Sequence, residues 1–270
     1  MVELSTKYKI GSRRFGYINW IGAWTFYKKE VLRFLVVWIQ TIFSPIITSL
    51  LFLSVLTLAI GDDRGEVLGV TFINFLAPGL IAMQVIQQAF SHSASSFMIK
   101  KIDGSIVDVL YTPLSAAEIT LAVIFSAVTR SLIIAFISII VFYFVVDVRV
   151  TNYTILIAFT FLSSFILGST GMIAGLWAEK FDHMATVTNF IIIPLSFLSG
   201  TFYTIEKLPH FLQIISKANP FFYMIDGFRY SFLEKSDSSI FFGMIYLLIL
   251  SIAIGFSAYI LFKKGYKIKS

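Results

Sequence analysis

The sequence contains no cysteine. Disulfides, thiolate chemistry and cysteine-based zinc sites are therefore excluded. Charge is also scarce: Asp, Glu, Lys and Arg make up 13% of the chain, against ~25% in an ordinary soluble domain. No Gly-Lys dipeptide occurs, so the phosphate-cradling G-x-x-x-x-G-K-[ST] loop is missing. H-E-x-x-H and G-x-S-x-G are missing too, and His92, His183 and His210 stand far apart. The chain offers no catalytic residue, cofactor-binding residue or metal site. Asp62-Asp63, in the short loop GDDRGE, reads as solvated turn chemistry.

What is abundant is apolar surface. Hydrophobic residues make up 57% of the 270, with 29 Phe, and the charges cluster between long uncharged runs. Only a bilayer can solvate that much apolar surface. The expected fold class is an all-α membrane protein with six transmembrane helices. One crossing needs ~20 apolar residues. The runs that qualify are residues 34–60, 70–99, 119–146, 150–178, 184–200 and 240–262, within a single transmembrane domain of residues 1–270. Pro45, Pro78 and Pro194 fall inside the first, second and fifth runs. Several runs exceed the ~30 Å hydrocarbon core and should tilt, bend or extend past it.

The net charge of +6 reflects topology rather than nucleic-acid binding. With the N-terminus in the cytoplasm, fourteen Lys and Arg lie inside, among them Lys7, Lys9, Arg13, Arg14, Lys180 and Lys269, and six lie outside. That bias predicts both termini in the cytoplasm. The first 33 residues lack the short apolar core and small-residue cleavage site of a secretory signal. Span one is therefore expected to serve as its own insertion signal.

Two regions depart from simple spans. In residues 15–33, Trp20 and Trp24 alternate with Lys28, Lys29, Glu30 and Arg33. This mix suits a helix lying in the membrane interface, basic groups toward anionic lipid; an ordinary flank of span one is the alternative. Residues 201–230 are apolar and aromatic but punctuated by Pro209, Asn219-Pro220 and Gly227. Their apolar pieces, ~8–12 residues each, are too short to cross. A re-entrant helical hairpin before the last span is expected there, its irregular backbone shielded by protein or water.

Other residues invite a role. Arg130 falls inside span three, where a charge must face protein, face water or snorkel. Ser164, Gly168, Gly171 and Gly175 line one face of span four and permit close helix approach, within the chain or between copies. The inside loop, residues 100–118, is long. Ile106 to Tyr111 reads as a short helix before Thr112-Pro113, and Ser115 with Glu118 reads as a capping box. The loop is either a docking element for a soluble partner or a connector.

These features together resemble the permeases of type-2 ABC exporters, which include bacterial drug, polysaccharide and lipo-oligosaccharide exporters. FLAPGLIAM (residues 75–83) is similar to that family's second-span motif, KKIDGSIVDVLYTPLSAAEI (100–119) to its charged inside loop, and LSGTFYTIEKLPHFLQIISKANPFFYMIDGFRY (198–230) to its Pro-broken stretch. Thr204 stands where many members have proline.

The resemblance implies a permease half-pathway in the bacterial inner membrane, with no enzyme activity of its own. A second permease copy would complete a homodimer, and separate ATPase subunits would bind ATP and Mg. Residues 15–33 and a coupling loop holding Lys101, Asp103, Gly104, Asp108, Tyr111, Pro113 and Glu118 would meet the ATPase. Arg130, Tyr203, Pro209, Asn219, Pro220, Asp226 and Arg229 would line or gate the path. Asp226 and Arg229, three apart, are expected to form a local ion pair. A secondary transporter or channel, and an intramembrane lipid-modifying enzyme, are the other function classes. Neither finds carboxylates within the spans.

Overall fold

A computed structural model describes residues 18–268. Residues 15–17 of the expected interfacial helix, the basic residues Lys7, Lys9, Arg13 and Arg14, and Lys269 lie outside the described residues. The side chains of Asp62 and Asp63 lie outside them as well.

The chain is built from helices. Helix α1 (Trp20–Val36) is separated by a short break from a π-helical turn at Ile39–Phe43, which leads into α2 (Ser44–Arg64). Pro45 follows the π-helical turn, inside a continuous helical run, where its missing N–H removes one backbone hydrogen bond. A two-strand antiparallel ribbon, β1 (Glu66–Val67) and β2 (Val70–Thr71), turns the chain back. Helix α3 (Phe72–Ile102) returns with Pro78 inside it, and α4 (Ile106–Leu110) is the short loop helix. Two long helices follow, α5 (Ala116–Val146) and α6 (Tyr153–Trp177). Helix α7 (Phe181–Val187), a π-helical turn (Thr188–Ile192) and α8 (Ile193–Phe197) form one broken rod. A 3-10 turn at Ile205–Lys207, then α9 (His210–Ala218) and α10 (Pro220–Leu233), precede the last helix α11 (Ile240–Lys263).

Among the described residues, five helical segments are long and apolar enough to cross a bilayer: Ile39–Ala59, Phe72–Ile102, Ala116–Val146, Tyr153–Trp177 and Ile240–Lys263. The sequence run 184–200 is helical as far as Phe197, in a rod divided by a π-helical turn into pieces of 7, 5 and 5 residues. Helices α9 and α10, of 9 and 14 residues, fall short of the ~20 needed to cross.

Helix α3 is the hub and packs most extensively on α6, then α5. It is the least apolar of the five and the most enclosed, whereas α11 is the least enclosed. The logic is that of a bilayer protein: polar helices go inside, because lipid cannot satisfy their side chains. Since lipid tails are as apolar as leucine, close backbone approach holds such helices together. Gly175 lets α6 approach α3 so closely that a Cβ there would lie 2.5 Å from the Ala94 carbonyl oxygen. At Gly171 a Cβ would collide with the Phe90 carbonyl. Gly168 meets Ala127 of α5 and Ser93 of α3, and the buried Ser164 hydroxyl has no hydrogen-bond partner.

Candidate functional site

Three polar constructions stand out of this apolar frame. The first ties together the starts of α1 and α5. Ser115 caps α5, its hydroxyl accepting from the Glu118 amide (3.3 Å) while the Glu118 carboxylate accepts from the Ser115 amide (2.6 Å). The second Glu118 oxygen accepts from the Asn19 amide at 2.5 Å. Asn19 caps α1 through Gly22 (3.0 Å) and donates to the Pro113 carbonyl (3.1 Å). One carboxylate therefore serves the N-caps of two helices remote in sequence.

Helix α4 hangs beneath this clasp. A groove of about 330 Å³ separates it from α1, lined by Phe26, Lys29, Asp108, Val109 and Pro113 among others. Ile106 and Val109 point inward; Val107 and Leu110 point out, followed by Tyr111, 85% exposed. Trp20 (73% exposed), Ile21 and Trp24 of α1 are exposed as well. Asp103 turns the chain by accepting from the Ser105 amide and hydroxyl, which hold its carboxyl below the ordinary value. Gly104, at φ +78°, completes the turn with open space where a side chain would stand. Lys101 donates to the Leu176 and Ala178 carbonyls (2.7 Å each), a cation on the C-terminal end of α6.

The second construction is a buried network between α1, α3 and α5. Glu30, fully enclosed, pairs with Lys100, accepts from Ser96 at 2.7 Å and from Arg33 at 3.1 Å. Arg33 also reaches the His92 carbonyl (3.0 Å), the His92 Nδ1 (3.5 Å) and Ser95 Oγ (3.3 Å). Facing a guanidinium, Nδ1 can only accept, so His92 is neutral with its proton on Nε2. That proton is donated to Ser126 Oγ at 2.8 Å, whose own proton goes to the Val123 carbonyl. Arg130 is 7% exposed, so it does not snorkel. Its Nη2 donates to Gln88 and its guanidinium lies 6.0 Å from the Phe34 ring. Among the described residues no carboxylate pairs with it, although an Arg in mid-bilayer costs ~2.5–3.5 kcal/mol on insertion scales. Sequence reading singled out Glu30, Arg33 and Arg130 separately and missed the network. Its one signal was the unusual density of Gln, Ser and His in the second apolar run.

The third construction lies around α10. Arg229 is 1% exposed, stacks on Phe75 at 3.9 Å and donates to the Gly200 and Thr201 carbonyls (2.7 and 3.3 Å). Gly79 makes room, since a Cβ there would lie 3.0 Å from the guanidinium and 2.8 Å from the Thr201 oxygen. Asp226 accepts from the Asp237 and Ser238 amides (2.9 and 3.1 Å) and the Ser238 hydroxyl (2.6 Å). The expected Asp226–Arg229 ion pair does not form. Spacing puts both on one helix, but each side chain is claimed by a different backbone loop. Asn219 closes α9 and opens α10, accepting from Phe221 and donating to Leu195 and Ser199. Pro209 precedes α9, Pro220 is the first residue of α10, and Tyr203 donates to the Phe197 carbonyl at 3.0 Å.

A bundle of long apolar helices with a built polar interior and a clasped loop platform defines the class: a multi-pass membrane protein. The chain belongs to the ABC-2 type transporter family, whose sequence pattern matches residues 21–233, and it is accordingly a transport permease. It is 32% identical over 221 residues to the inner membrane transport permease YadH of Escherichia coli strain K12, covering 82% of this chain and 86% of that protein. It is also similar to nodulation protein J of Rhizobium leguminosarum bv. viciae, at 25% identity over 83% of this chain and 86% of the relative. Nodulation protein J of Rhizobium meliloti strain 1021 is 23% identical over 78% and 80%.

Proposed function

We propose that this chain is the membrane half-pathway of an ATP-driven exporter in the bacterial inner membrane, the location that the name of the YadH relative carries. A second copy completes the pathway, and separate ATPase subunits bind ATP and Mg. The chain crosses six times with both termini in the cytoplasm, the broken rod α7–α8 supplying the sixth crossing. Helix α1 lies at the interface against lipid, and α9–α10 form the outer re-entrant hairpin.

The observation that carries the reading is the Glu118 clasp. A force applied to α4 from below passes through Pro113 and Glu118 to the first turns of both α1 and α5. The apolar and aromatic surface left open beside it on the loop, Val107, Leu110 and Tyr111, suits a soluble protein docked from the cytoplasm. Nucleotide-driven movement of that partner would bias a bistable permease interface. Exposed Gln40 and Ser44, four residues apart along the first candidate span, favour water or a second copy over lipid.

The test is copurification. The tagged permease should bring down an ATPase bearing the phosphate loop, and Tyr111→Asp with Leu110→Asp should abolish that complex. Transport that persists with no ATPase present would overturn the reading.

A further inference from the structure

Helix α3 carries Gln84, Gln88, Ser91 and Ser95 at steps of four, three and four, which places them on one face. None of the four is buried by this chain, and Ser91 is exposed. Hydrocarbon cannot solvate such a stripe, so water or protein covers it. Two arginines from neighbouring helices reach into it: Arg130 of α5 bonds Gln88, and Arg33 of α1 bonds Ser95. We propose that this wall, built by α1, α3 and α5, binds an anionic group of the transported molecule, with Arg33 and Arg130 reading its charge. The inference rests on the permease reading and adds a substrate class to it.

The charge count favours an anion. Of three cations, Arg33, Lys100 and Arg130, the first two share the carboxylate of Glu30 and the third bonds only the neutral Gln88. Glu30 is already occupied by Lys100, Arg33 and Ser96. Neutral His92 supplies no compensation. Among the described residues the buried Arg130 Nε has no hydrogen-bond partner, and Arg33 keeps 31% of its side chain exposed. Two guanidinium groups beside open amide and hydroxyl groups match a phosphate, a sulfate or a carboxylate, whose oxygens accept forked donation. A cationic cargo would be repelled at the same place.

The full-length permease in nanodiscs of phosphatidylcholine allows a direct test. Equilibrium binding of radiolabelled dodecyl phosphate, dodecanoate and dodecylphosphocholine is compared, with empty nanodiscs subtracted. The equal chains isolate the head charge, and the first two probes separate phosphate from carboxylate. We expect either anionic probe to bind about tenfold tighter than the zwitterion. Arg130→Gln should erase the preference and Arg130→Lys should keep it. Arg33→Gln, at a half-exposed position less able to disturb folding, should weaken it. Lys180→Gln, at an exposed position away from the wall, should leave it intact. Equal binding of all three probes, or a preference surviving in both glutamine variants, would overturn the inference. No ATPase is needed for this measurement, so its failure leaves the exporter reading standing.

Discussion

Glu118 shows how one side chain can couple elements that composition treats as independent. Its capping box with Ser115 is local, three residues apart, and an amino-acid pattern suffices to announce it. Its second bond, to the Asn19 amide, spans 99 residues and has no sequence signature. A hydrogen bond contributes ~1 kcal/mol net, so Glu118→Ala, which leaves both cap side chains in place but frees the N-cap amides of two helices, should destabilise the permease by ~2 kcal/mol. Thermal unfolding in detergent measures that effect. Glu118→Gln should recover only part of it, because the amide nitrogen would face an N–H donor. The same variant should reduce ATPase stimulation by cargo more than its unfolding temperature suggests, if the clasp transmits force. Arg229 teaches the opposite lesson. Its spacing from Asp226 suggested a pair, yet the fold spends each residue on backbone carbonyls or amides instead. Backbone groups in a loop are invisible to an i,i+3 argument, but in a bilayer they must be satisfied before any side chain is.

At the scale of elements, the long apolar runs and the turns were legible, because length and proline act locally. The expected helix at Ile106 to Tyr111 appears as Ile106–Leu110, with Tyr111 as its C-cap. The Glu30–Lys100 pair was not legible: its partners are 70 residues apart and belong to helices whose register no pattern encodes. The small-residue face of α6 is intermediate. Its spacing identified a packing surface, but only the structure names α3 and α5 as the neighbours. The neighbours set a graded expectation. Gly171→Ala drives a methyl into the Phe90 backbone of α3, which cannot yield without parting two helices. Gly168→Ala meets the Ala127 methyl at 3.1 Å, which needs a shift of only a few tenths of an ångström, and the Ser93 hydroxyl at an ordinary 3.5 Å. Overpacking of this kind costs ~1–3 kcal/mol. Gly171→Ala should therefore sit at the upper end and Gly168→Ala near or below the lower end, read as shifts in thermal unfolding of the purified protein.

The whole molecule poses a question of parity. Hydropathy alone invites residues 201–230 to be counted as a further crossing, which would carry Lys263 and Lys264 to the outer side. The break at Asn219-Pro220 argues against that, because neither α9 nor α10 can cross alone and the two are joined by a capped turn rather than a continuous rod. The divided rod α7–α8 is the other half of the count: if it did not cross, the C-terminus would change sides as well. The count that both choices set is tested by one experiment that the missing cysteine makes clean, since every label then reports an introduced site. Tyr111→Cys, Ser236→Cys and Lys264→Cys are made singly and treated with a membrane-impermeant maleimide in right-side-out vesicles. Six crossings with cytoplasmic termini require labelling at position 236 alone, and labelling at 111 and 264 only after permeabilisation. Labelling of 264 in sealed vesicles, with 111 protected, would mean that the number of crossings is odd. The position of 236 then assigns the error. A labelled 236 places it after that residue, whereas a protected 236 places it before, in α7–α8 or in the segment 201–230.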